Sequence, residues 1–133
     1  YKLENGKYVF PAALEEEIKL LPWVENAMVY GDGRPYNVCM IVPDFAVLGK
    51  YARENQLPEE PEKLVADTAV QEMIAVETTS FLKGKFGGYE IPKKFVLIQE
   101  DFSLENGTLT QTMKLKRLSV LKQYQDQLQN LYS

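Results

Sequence analysis

Val24-Glu-Asn-Ala-Met-Val-Tyr-Gly-Asp-Gly-Arg-Pro-Tyr-Asn-Val-Cys-Met-Ile-Val42 is the stretch on which the architecture turns. Residues 24–30 and 36–42 read as two strands, and Gly31-Asp-Gly-Arg-Pro35 between them as a glycine-rich antiparallel turn. The second strand is apolar at consecutive positions, the pattern of a strand covered on both faces. Such a sheet needs helices around it, and the rest of the chain supplies them.

Upstream, Asn5-Gly6 predicts a hairpin turn joining residues 1–3 to 7–10, since Asn and Gly adopt positive φ at little cost. Pro11 suits the first turn of a helix, where its missing N–H is no loss. Leu14, Ile18 and Leu21 share one face of that helix, which stops at Pro22. Glu15, Glu16 and Glu17 lie near its positive end. Three consecutive residues point in three directions around a helix, so they are expected to form a solvated, dipole-favoured face and not a metal cluster.

Downstream, Asp44 is placed to cap a helix running to about Asn55, with Phe45, Leu48, Tyr51 and Ala52 as its apolar stripe. Residues 56–61 hold two prolines and two glutamates and read as a surface loop, followed by a short helical turn at 62–66. A further helix starts at Thr68 with Val70, Ile74 or Met73, and Phe81 inward, Glu77 outward, and it ends at Lys83-Gly84. Residues 86–92 form a loop whose glycines, Gly87 and Gly88, permit close backbone approach, and 93–98 make a third buried strand. From Lys116 a last helix puts Leu118, Leu121, Tyr124, Leu128 and Leu131 on one stripe. The expected fold is α+β: a small three-stranded sheet packed by helices, with two projecting β-hairpins.

The second hairpin is Glu105-Asn-Gly-Thr-Leu-Thr-Gln-Thr-Met-Lys-Leu-Lys-Arg117, a turn signal followed by three cations within four residues. A lysine on such a tip can reach a phosphate or carboxylate held on another body and stabilise developing charge. The alternative is a solvated basic turn.

Composition narrows the function. With 133 residues, 45% apolar and 26% charged, the chain makes one domain, too small for a two-substrate enzyme with its own nucleotide site. The net charge of −4 provides no overall field toward nucleic acid or anionic lipid, so any anion site is local. Histidine is absent, which removes the commonest general base and most zinc sites. Neither GxxxxGK[ST] nor GxGxxG occurs. The single Cys39 sits in an apolar run and reads as a core residue in a reducing compartment. No apolar run approaches the roughly 20 residues of a membrane span, and no leader opens the chain, so a soluble, cytoplasmic protein is expected. The abrupt, strand-like start at Tyr1 suggests a fragment of something longer.

Gly6-Lys-Tyr-Val-Phe-Pro-Ala-Ala-Leu-Glu-Glu-Glu-Ile18, followed by residues 24–31, resembles the start of the C-terminal domain of adenylate-forming enzymes, the acyl-CoA synthetase, luciferase and non-ribosomal adenylation superfamily. Glu90-Ile-Pro-Lys-Lys-Phe95 and residues 106–117 match its end. Leu109-Thr-Gln-Thr-Met-Lys-Leu-Lys-Arg117 is similar to the long-chain fatty acid–CoA ligase branch. The likeness covers the whole chain in the right order.

The resemblance implies a lid that rotates against a large N-terminal domain of the same polypeptide, the fatty acid, ATP and CoA being the substrates. The carboxylate first attacks the α-phosphate to give acyl-AMP; CoA then displaces AMP. It implies a catalytic lysine for the first step, assigned to Lys114 with Lys116 as rival, because Met113 stands where the family usually has glycine. It implies a CoA-channel loop at Gly6, Lys7, Tyr8 and Val9, with Arg117 among the substrate-binding residues. The hinge is expected just before Tyr1, and Mg2+ is expected in the full enzyme but not on this chain. The full-length enzyme is open to peripheral membrane association, nucleic acid is not expected as a partner, and the isolated chain is predicted to be inactive. Trp23 reads as a packing residue and not an adenine stacker, and Asp101 and Glu105 as solvated loop residues and not an acid–base pair. Two alternatives stay open: a non-catalytic interaction module with a basic docking tip, and the lid of an acyl-AMP ligase using another acceptor.

Overall fold

A computed structural model describes all 133 residues. Strand β1 (Val24–Tyr30) pairs antiparallel with β2 (Val38–Pro43), and β3 (Lys94–Leu97) adds to the other edge of β2 in parallel. The helices are α1 (Pro11–Ile18), α2 (Phe45–Glu54), α3 (Pro61–Leu64), α4 (Thr68–Leu82), α5 (Arg117–Gln123) and α6 (Gln125–Asn130). The sheet is thus mixed and central, as the α+β expectation required.

Every residue of β2 is buried, and its alternation explains the unbroken apolar run. Cys39 and Ile41 face one core with Ala27, Val29 and the inner sides of α1, α2 and α4. Val38, Met40 and Val42 face a second core with Met28, Phe102, Val120 and Leu128. Each fully buried aliphatic side chain contributes about 1.5–3 kcal/mol, so both faces of β2 are held strongly. Burial pushes the Cys39 thiol well above its ordinary range. The third strand departs from expectation: it is an edge strand in which only Leu97 is buried, Lys94 facing solvent, as edge strands commonly do.

Capping follows local chemistry. Asp44 Oδ1 accepts from the N–H groups of Ala46 and Val47 at 3.1 and 3.3 Å and starts α2. Asp67, one residue before the expected start, caps α4 by accepting from Val70 N at 3.0 Å. Val70, Ile74, Thr78 and Leu82 form the inner stripe of α4, while Phe81 is only half-buried; a strict spacing of four carries the burial one position past Phe81. Gly84 ends the helix at φ +84°.

The C-terminal stripe needs correction. The expected single helix breaks at Tyr124, whose φ is −112°, and Leu118 is 83% exposed while Val120 and Leu128 are buried. The cause is tertiary. The Tyr132 ring lies 5.0 Å from that of Tyr36 and its hydroxyl donates to the carbonyls of Tyr30 and Tyr36, while the Tyr36 hydroxyl donates to Leu131 O at 2.7 Å. These contacts tie the chain end to the β1–β2 turn.

Both hairpins are present as short paired loops. Lys2 bridges to Tyr8 around Gly6 at φ +82°, with Leu3 and Val9 buried beneath. Leu109 bridges to Leu115.

Candidate active site

The second hairpin rests on a knot of hydrogen bonds. Asn106 Oδ1 accepts from the Ser103 and Thr108 N–H groups, both at 3.2 Å, and from the Thr108 hydroxyl. Asn106 Nδ2 donates to Glu100 Oε1 at 2.7 Å and to Asp101 O at 2.9 Å. Gln123 Nε2 of α5 donates to Asn106 O at 2.8 Å, fastening the knot to the helix. Thr108 and Leu109 are buried, so the base of the hairpin is part of the core.

Beyond that base, Thr110 N donates to Lys114 O at 2.8 Å and Met113 N to Thr110 O at 2.9 Å. Gln111, Thr112 and Met113 therefore form a three-residue loop whose last member must be left-handed, a position glycine usually fills. Met113 holds it at φ +63° while 67% exposed. The left-handed form costs an L-residue about 1–2 kcal/mol, which glycine's extra chain entropy offsets by about 0.5–1 kcal/mol. Met113→Gly is therefore expected to stabilise this chain by up to about 1 kcal/mol, measured by urea unfolding. A loss of stability would mean that the thioether makes contacts worth more than the strain.

Lys114 follows Met113 and is exposed on the rim of a 420 Å³ cleft between the hairpin and α1. Glu15, Glu16 and Lys19 line one wall, Asn26 and Ala27 of β1 the back, and Met113, Lys114, Leu115 and Arg117 the other. Neither Lys114 nor Lys19 has a carboxylate oxygen within 4.0 Å, the ion pairs of the chain being Arg53–Glu59, Lys63–Glu60 and Arg117–Glu15. Two uncommitted ammonium groups thus border the cleft.

The solvated reading of Glu15 is overturned. Its side chain is 7% exposed and takes a bidentate pair from Arg117, Nη1 to Oε2 at 2.7 Å and Nη2 to Oε1 at 2.5 Å. Oε2 also accepts from Val29 N at 2.8 Å. These hydrogen bonds to Glu15 raise the Arg117 pKa further above its ordinary value against the effect of burial, so the guanidinium is charged at every working pH. The face of α1 that packs on β1 carries Glu15 inward, and Arg117, 102 residues away, neutralises it. Glu16 stays exposed and Glu17 half-exposed.

The other expected site residues are distributed as follows. Lys116 is exposed, donates its N–H to Thr108 O at 2.8 Å, precedes α5 and does not line the cleft. Arg117, expected to meet substrate, has both terminal nitrogens committed to Glu15. Gly6, Lys7 and Tyr8 are exposed but lie outside the cleft lining; Lys7 Nζ sits 4.7 Å from the Tyr89 ring centroid. Val9, expected in the same loop, is instead buried as a whole residue, its N–H donating to Tyr1 O at 2.8 Å, because it packs into the first core. Trp23 is half-buried and packs against the first core. Asp101 is half-buried and not simply solvated, its Oδ1 accepting from Asn26 Nδ2 at 2.7 Å at the back of the cleft, while Glu105 is exposed. No three His, Cys, Asp or Glu side chains are grouped to hold a metal ion, and no helix is long and apolar enough to cross a membrane.

Residues 2–133 match the family model described as the AMP-binding enzyme C-terminal domain. The chain belongs to this family. Among curated proteins, this AMP-binding C-terminal domain is 30% identical over 135 residues to long chain acyl-CoA synthetase 8 of Arabidopsis thaliana, covering 99% of the chain and 19% of that protein. It is also 30% identical over 133 residues to the carboxylic acid reductase of Mycobacterium tuberculosis, covering 99% of the chain and 10% of that protein. Among solved structures, the adenylation–carrier didomain of the carboxylic acid reductase from Segniliparus rugosus in complex with AMP superposes with a TM-score of 0.80 at 27% identity, over 99% of this chain and 17% of that one. The domain thus spans a fifth or less of each of these proteins, and its mixed sheet and helices are those of the family.

Proposed function

We propose that this domain is the lid of an AMP-forming long-chain fatty acid–CoA ligase and works against an N-terminal body of the same polypeptide. The observation that carries the reading is Lys114: an exposed ammonium without a carboxylate partner, on the tip of a hairpin whose base is built into the core. The relation to a long chain acyl-CoA synthetase across 99% of the chain supports the branch.

In the first half-reaction a carboxylate oxygen attacks the α-phosphorus of ATP, the bond to the bridging oxygen breaks, and pyrophosphate leaves. Both reactants are anionic. Lys114 would sit between them and offset their repulsion as negative charge builds in the transition state. In the second half-reaction the CoA thiol gives up its proton to solvent, its sulfur attacks the acyl carbonyl and AMP leaves, with the exposed Gly6–Tyr8 backbone lining the thiol's approach. Mg2+ held by the N-terminal body would neutralise phosphate charge.

A second reading, an acyl-adenylate handed to another acceptor, draws on the likeness to carboxylic acid reductases. The discriminating experiment supplies the full-length protein with ATP and a saturated long-chain acid, with and without CoA. The expected result is acid-dependent pyrophosphate release, with acyl-CoA formed only when CoA is present. Pyrophosphate release without thioester would move the reading to the other acceptor, and no release at all would overturn both.

A further inference from the structure

We propose that Glu15 and Arg117 are a strap that joins the bases of the two reaction loops, so that both turn as one body and each keeps its geometry. The proposal rests on the lid reading above. Glu15 lies in α1, which begins two residues after the Gly6–Val9 loop, and Arg117 opens α5, three residues after Lys114. Both partners line the cleft that Lys114 borders.

Two features make the pair more than a stabilising contact. A bidentate fork fixes orientation as well as distance, because two parallel N–H···O bonds leave the guanidinium no free rotation against the carboxylate. Its third hydrogen bond, from Val29 N, fixes the carboxylate to the sheet, so the hairpin, α1 and β1 meet at one point. The hairpin's other anchors, through Asn106 and Gln123, hold it to its own neighbourhood and to α5 but not to α1. The strap is therefore the side-chain link from the Lys114 hairpin to the helix that carries the first loop. The pair also trims the field: with Glu15 neutralised, only the exposed Glu16 carboxylate on the cleft wall opposes the charge that Lys114 and Lys19 present.

Glu15 and Arg117 are thus positioning residues, and their loss should register in both half-reactions, unlike that of Lys114. The test uses the full-length protein with Arg117→Lys, which keeps the charge and removes the fork, alongside Lys114→Ala. Pyrophosphate exchange and thioester formation from supplied acyl-adenylate are measured separately, below the onset of thermal unfolding of each variant. For Arg117→Lys both rates should fall between about 10-fold and 10²-fold in kcat, with KM for ATP and acid unchanged, since misplacement by about 1 Å has that effect on a reaction geometry. Should the variant not fold, Glu15→Gln, which keeps an acceptor for Val29 N and removes the charge, is read in the same way. Both rates within two-fold of the parent would reduce the pair to a stability element and overturn the proposal. A fall in exchange alone would overturn the coupling of the two loops. Unchanged exchange in both Lys114→Ala and Lys116→Ala would sink the underlying lid reading instead, whatever the strap variants do.

Discussion

In the full-length protein, Lys114→Ala is expected to lower acid-dependent ATP–pyrophosphate exchange by about 10²–10³-fold, the usual effect of removing one preorganised donor from a charge-developing centre. Thioester formation from supplied acyl-adenylate is expected to stay within a few-fold of the parent. The asymmetry follows from the proposed chemistry: the first step brings two anions together, whereas in the second a sulfur attacks a carbonyl already activated by its adenylate. The substitution leaves the hairpin standing, because its bonds at this residue are backbone ones, Lys114 O accepting from Thr110 N and Lys114 N donating to the Thr110 hydroxyl. The exposed side chain contributes no burial. If both reactions survive, the role passes to Lys116, and Lys116→Ala then shows the loss; if that variant also keeps both, the tip is not catalytic and the basic-docking reading gains, with its salt-dependent binding to an acidic partner.

Glu15→Ala is expected to destabilise this chain by about 2–3 kcal/mol, below the 3–5 kcal/mol typical of breaking a fully buried pair, because the Arg117 side chain is 38% exposed and partly screened by solvent. Two costs combine. Arg117 loses its counter-charge while half-buried, and Val29 N loses its acceptor inside the sheet. For a domain of this size that corresponds to a melting temperature lower by roughly 8–12 °C. Glu16→Ala, one residue away and exposed, should change stability by no more than about 0.5 kcal/mol. Equal effects from the two substitutions, read by thermal melts, would show that the burial of Glu15 contributes nothing.

The contrast between these neighbours marks the limit of pattern reading. Glu15, Glu16 and Glu17 are identical in type and consecutive, and nothing local separates them. Leu14 and Ile18 reveal which way α1 faces, and Glu15 lies beside that face, but whether it is solvated or buried depends on a cation arriving 102 residues later. The one available signal was Arg117 itself, an arginine placed at the start of a helix, where a positive charge is unfavourable unless something else holds it. A similar gap explains Leu118. A stripe counted through a continuous helix places it inward, yet the break at Tyr124 and the tyrosine cluster at the chain end turn it to solvent. The candidate lysine was legible from its motif, while its cleft and its lack of a carboxylate partner were not.

The sequence by itself determined whatever depends on groups within about four residues of one another. That covers the apolar run of the two-faced β2 strand, the Asp44 cap, the Gly84 stop and the turns at Gly6 and Gly107. Only the tertiary structure decided which cation pairs with which acid, where the last helix breaks, and that α1 and the second hairpin enclose one cleft. The reason is physical: backbone dihedrals, caps and periodicity respond to near neighbours, whereas the burial of a charge and the closing of a cleft need partners brought together from opposite ends of the chain.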